Sequence, residues 1–173
     1  RITGCDYLIV VMSGNYVQRG TPAIVDKYER TRMALDGGAD LVLELPVLFS
    51  TSSAETFAEA SISLLHFLGC VDQVCFGTES GTLVQLDKIA ELLNNEPREF
   101  QENIRSFIRT GMSYPAARAA ALDLYLNDEV PDLQLLLQTP NNILGIEYLR
   151  AIRKIAPYMK PYAVKRWTTE YHD

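Results

Sequence analysis

Apolar positions fall first in short unbroken runs and later at helical spacing. Asp6 to Met12 is almost wholly apolar and predicts a strand covered on both faces. Asp26, with Glu29 three residues on, has the form of a capping box and predicts a helix over Lys27 to Asp36, closed by Gly37-Gly38. Ala39 to Leu45 predicts a second buried strand, stopped by Pro46. Phe57, Ile62, Leu65 and Leu68 recur as a helix requires, so a helix is expected over Ala54 to Leu68, ending at Gly69. Val71 to Phe76 is a third strand. Strands alternating with helices through short connections predict right-handed crossovers and one parallel sheet, a Rossmann-like α/β fold.

The pattern changes after Gly81. Leu83 to Leu93, Arg98 to Arg109 and Tyr114 to Leu126 are three helical patterns in succession, with Gly111 and the Pro131 region between or after them. They predict a helical insertion at about residues 82–130 on a single domain spanning 1–173. Asn141 to Ile155 is a further helix, and Lys160 to Arg166 a fourth strand returning to the sheet. Arg1-Ile-Thr-Gly resembles the tail of a helix, and TTEYHD follows directly on a strand-like segment. Both ends are therefore expected to be truncated.

Composition narrows the class. The 173 residues are 47% hydrophobic and 22% charged, near a globular average. A net charge of −6 argues against a surface coated in nucleic acid, though not against a local basic track. Cys5, Cys70 and Cys75 form no C-x-x-C pair, and with two histidines they suggest a reducing, cytoplasmic setting without a zinc site. No apolar run is long enough for a bilayer, and RITGCD is no basic-then-apolar leader, so no membrane association is expected.

Candidate chemistry lies in the loops after strands, where open α/β sheets bind ligands. Ser13-Gly14-Asn15 lets backbone N–H groups approach a phosphate, with Arg19 and Lys27 in reach; the plainer alternative is a turn that needs glycine. Arg30 and Arg32 are expected on a solvated face. In Phe76-Gly77-Thr78-Glu79, Gly77 would let a nucleobase or ribose lie flat, and Glu79 could accept from a hydroxyl or amine. Of Asn141 and Asn142, one can cap the helix after Pro140, leaving the other amide to read an adenine edge. From Leu149 to Trp167 the chain carries Arg150, Arg153, Lys154, Lys160, Lys165 and Arg166 with no acidic residue. That tract, interleaved with Tyr158, Tyr162 and Trp167, could follow a nucleic-acid backbone, or simply serve a helix C-terminus. Arg166 is its best candidate for gripping a triphosphate. His66 is read as structural, and His172 has no assignable role. No Ser-His-Asp set, metal cluster or Walker loop is present.

Together the strings SGNYVQRGTPAIVDKYERTRMAL, GADLVLELP, FGTESG, SYPAA, TPNNILGIEYL and KPYAVKR…YHD resemble the tRNA(Met) cytidine acetate ligases of the HxGH-type nucleotidyltransferase superfamily. The resemblance runs in register over nearly the whole chain. It implies an enzyme that activates acetate with ATP, accompanied by magnesium, to acetyl-adenylate. The acetyl group then passes to the wobble cytidine of elongator tRNA(Met), giving N4-acetylcytidine. It places ATP contacts on Gly77, Asn141 and Arg166. The HxGH elbow and the later phosphate loop of that family have no counterpart among these residues, so no catalytic side chain is assigned. The 173 residues by themselves are expected to be inactive.

Two other readings stay open. One is an adenylyltransferase acting on a small metabolite's phosphate or carboxylate; the other is a non-catalytic remnant that binds a nucleotide or a partner.

Overall fold

The computed structural model describes residues 3–126 and 129–166. Trp167, His172 and the YHD string lie outside them. The chain divides into two compact units, Arg1–Val71 and Asp72–Asp173.

In the first unit, β1 (Ile9–Ser13) pairs in parallel with β2 (Leu41–Leu45), from Ile9 opposite Leu41 to Ser13 opposite Leu45. The connection contains α1 (Lys27–Asp36), whose start is set by Asp26: its carboxylate accepts from the N–H groups of Tyr28 and Glu29. Gly38, at φ +100°, supplies the left-handed residue that turns the chain out of the helix. A short α2 (Val47–Ser50) and α3 (Ala54–Phe67) follow, and α3 buries Ala58, Ile62 and Leu65. His66 ends α3 with its ring tilted against Phe67, as a structural residue would.

The second unit begins with β3 (Gln73–Thr78) and ends with β4 (Lys160–Lys165), again a parallel pair. Between them run α4 (Leu83–Asn95), α5 (Arg98–Arg109), α6 (Tyr114–Leu126), α7 (Leu133–Gln138) and α8 (Pro140–Ile155). A full capping box between Thr82 and Gln85 starts α4. On β3, Val74, Phe76 and Thr78 are buried while Cys75 is exposed, the period-2 signature of a strand with two different faces. The inward face meets α8 where that helix is thinnest. A β-carbon on Gly145 would come within 3.0 Å of the Phe76 ring, and Tyr148 stacks a tilted ring 5.6 Å from Phe76.

The α/β class and the parallel pairing match expectation, but the single sheet does not. The hydrogen-bonded strands form two two-stranded sheets, β1–β2 and β3–β4. An apolar run says that a strand is covered; it does not say which strand lies beside it. Nor is β1 buried on both faces: every residue of it is half-buried, and Leu41 and Glu44 of β2 are exposed. Among the described residues no helix is long and apolar enough to cross a membrane.

Candidate nucleotide site

Strand parity arranges the second unit's candidates. In a parallel pair, residues in register share a face, so Gly77 stands with Val164, and Arg166, two residues further on, shares their side. The Arg166 N–H donates to the Thr78 carbonyl at 2.8 Å, extending the ladder one step past β4. Its side chain then crosses Gly77, with Cγ and Cδ at 3.0 and 3.1 Å from where a β-carbon would be. Arg166 is exposed beyond that contact.

Asn141 and Asn142 occupy the first turn of α8, but neither caps it. The N-cap position belongs to Thr139, which makes no side-chain cap bond, and Pro140 is the first helical residue. Both amides instead bind the loop after β3. The Asn141 backbone N–H donates to Glu79 Oε2 at 3.1 Å, and its Nδ2 donates to Glu79 Oε1 at 2.7 Å. Asn142 is fully buried; its Oδ1 accepts from the N–H groups of Glu79 (3.1 Å) and Ser80 (3.5 Å), and its Nδ2 donates to Ser80 Oγ at 3.0 Å. Arg166 thus crosses Gly77 while Asn141 meets Glu79, so each of the three calls lies at or against residues 77–79, at the C-terminal end of β3. Ser80 is a participant that sequence reasoning missed, because its partner is 62 residues away.

The first unit's elbow is internally engaged. Lys27 Nζ binds Glu44 at 2.7 and 3.1 Å, and that hydrogen bond holds the ammonium above its ordinary pKa against a smaller opposing effect of burial. The Glu44 carboxylate in turn lies over Gly14, where a β-carbon would collide with it. Arg30 corrects the expectation of a solvated face. Its guanidinium donates to the carbonyls of Ser13 (2.8 Å), Gly14 and Val25 (3.1 Å), tying the loop to the helix. Arg32 does sit outside, paired with Glu29. Arg19 is exposed in the turn before Gly20.

Part of the basic tract is likewise claimed by the protein. Arg150 is buried, bonded to Glu147 at 2.6 Å and to Asn94 at 3.2 Å. Arg153 forks onto Asp87 (2.7 and 3.0 Å) with Glu91 beside it, which raises its pKa through the Asp87 hydrogen bond above all. The acid facing Arg150 comes from α8 itself, three residues back, whereas those facing Arg153 come from α4, distant in sequence. Lys160, Lys165 and Arg166 remain exposed. Among the described residues no group of three or more His, Cys, Asp or Glu comes together to hold a metal ion, and Glu79, the carboxylate at this strand end, is engaged by Asn141.

All 173 residues match the family model described as HIGH Nucleotidyl Transferase. The chain belongs to that family. It is 47% identical over 172 residues to a tRNA(Met) cytidine acetate ligase of Clostridium novyi, covering 99% of this chain and 43% of the relative. To the ligase of the same name from a Thermoanaerobacter species it is 48% identical over 165 residues, 95% of this chain and 41% of the relative. Among solved structures, Thermotoga maritima TmcAL bound with alpha-thio ATP superposes with a TM-score of 0.87 at 40% identity, over 93% of this chain and 40% of that one. The apo form gives 0.90 at 38% identity, over 99% and 41%. These likenesses bear out the resemblance read from the motifs. The chain spans less than half the length of these family members.

Proposed function

We propose that this chain is the ATP-binding part of a cytoplasmic tRNA(Met) cytidine acetate ligase, a nucleotidyltransferase-like domain in which α4–α6 form a helical insertion. In this reading acetate attacks the α-phosphorus of ATP, pyrophosphate leaves, and acetyl-adenylate forms. The N4 amine of the wobble cytidine in elongator tRNA(Met) then attacks the acetyl carbonyl. AMP departs, a proton is lost from the amine, and N4-acetylcytidine results. The domain acts by orientation and by charge, with no covalent enzyme intermediate. Gly77 leaves room for the Arg166 side chain to cross the strand, in place of the nucleobase or ribose expected there, Asn141 reads the base, and the Arg166 guanidinium binds phosphate oxygens. Magnesium would travel with the phosphates of the nucleotide.

The observation that carries the reading is the meeting of Gly77, Asn141 and Arg166 at one strand end, in a chain whose likeness to an ATP-analogue-bound relative is high. The test is equilibrium binding of ATP to the purified chain and to its Asn141→Ala and Arg166→Ala variants. Both substitutions are expected to weaken binding about tenfold or more with the fold intact; unchanged affinity in both would remove the site from this strand end.

A specific observation keeps the metabolite adenylyltransferase in view. With Arg150 and Arg153 neutralised by acids within the protein, the tract offers RNA fewer cations than its sequence promised. Acetate-dependent labelling of tRNA by a protein carrying this chain at its relatives' full length separates the two.

A further inference from the structure

We infer that Glu79 sets the base selectivity of this site by fixing which way the Asn141 amide faces. The inference rests on the proposed role of Asn141 as a base reader.

An asparagine amide is close to symmetric in shape, and its oxygen and nitrogen exchange places by a rotation that costs little when nothing holds it. Here something does. Glu79 accepts through both oxygens, Oε2 from the backbone N–H of Asn141 and Oε1 from Nδ2. An ionised carboxylate only accepts. Turning the amide over would set Oδ1 against Oε1, two acceptors at 2.7 Å, so one orientation is excluded. Glu79 is itself held: its N–H donates to the buried Asn142 Oδ1, and Asn142 also grips Ser80. Its carboxylate further occupies the positive N-terminal end of α8, where it satisfies a helix N–H that has no partner within the helix.

With Nδ2 committed through one hydrogen, Asn141 offers a ligand its Oδ1 as acceptor and the remaining Nδ2 hydrogen as donor. That pair is complementary to a 6-aminopurine, which donates from N6 and accepts at the neighbouring ring nitrogen. A 6-oxopurine presents an acceptor where Oδ1 needs a donor. Only the flipped amide would suit it, and Glu79 forbids the flip. Glu79 is thus a positioning residue that need not touch the nucleotide.

The experiment measures dissociation constants of ATP, GTP and ITP for the full chain and for Glu79→Gln and Asn141→Ala. ITP isolates the 6-position, since it lacks the 2-amino group of GTP. The unsubstituted chain should prefer ATP over ITP by about ten- to a hundredfold. Glu79→Gln, whose carboxamide can donate to a flipped Asn141, should narrow that ratio by about tenfold, and Asn141→Ala should abolish it. If Asn141→Ala abolishes the preference while Glu79→Gln retains it, the base reader stands and the role of Glu79 is overturned. If Asn141→Ala also retains it, the base-reading role fails and the inference falls with it. Should Glu79→Gln not fold, the Asn141 side-chain amide in the unsubstituted chain gives the second readout by NMR. One orientation, hydrogen-bonded to Glu79 and kept in the presence of ITP, supports the inference; two orientations in exchange overturn it.

Discussion

Arg166 lies across Gly77, its Cγ and Cδ only 3.0 and 3.1 Å from the point where a side chain on residue 77 would begin. Gly77 is not in the left-handed region, so the glycine is required for space and not for backbone conformation. Gly77→Ala should therefore cost little stability, within about 1 kcal/mol, because the atoms it displaces belong to a flexible stem. It should shift the Arg166 guanidinium and weaken ATP binding on the order of tenfold. Calorimetric titration beside a thermal melt checks both halves. A variant that binds ATP as well as the parent would show that the Gly77–Arg166 approach is packing alone.

The elements legible in the sequence were those written locally. Lys27–Asp36, Arg98–Arg109 and Tyr114–Leu126 have the bounds that their caps and periodicity predict. Leu133–Gln138 escaped notice because LQLLLQ is too short and too uniformly apolar to show a period. Lateral strand pairing escaped as well, since cover and neighbourhood are different properties. Gly77, Asn141 and Arg166 could be named as candidates from loop position and family strings. What each amide or guanidinium touches could not, because Glu79–Asn141, Ser80–Asn142 and Asp87–Arg153 are contacts across more than sixty residues.

Two adjacent asparagines should separate cleanly into one that holds the fold and one that meets the ligand. Asn142→Ala leaves the N–H groups of Glu79 and Ser80 without their buried acceptor and should cost roughly 2–3 kcal/mol. It should lower the urea midpoint at constant m-value. Asn141→Ala, at a half-buried position where Glu79 keeps the backbone N–H as a partner, should change stability by no more than about 1 kcal/mol. Equal midpoints for the two variants would contradict the division of labour.

Alkaline stability should depend on Tyr148. Burial pushes its phenol up to about 12 from its ordinary value of 10.0, because the phenolate would be taken out of water beside Phe76. A folded pKa above the unfolded one means that the contribution is whole below pH 10 and is lost as pH rises through 12. Two units correspond to at most about 2.7 kcal/mol, of which roughly 1.4 is gone by pH 11. Tyr148→Phe keeps the ring on Phe76 and removes the titrating group, so the comparison cancels the other tyrosines of the chain. The difference in unfolding free energy between parent and variant should be flat up to pH 10 and then move in favour of the phenylalanine. Denaturant titrations at pH 9 and pH 11 measure it, with tyrosinate absorbance following the ionisation directly. Parallel loss of stability in both proteins across that interval would mean that the Tyr148 hydroxyl reaches water, and that the face of β3 packed on α8 is more open than the Gly145–Phe76 contact implies.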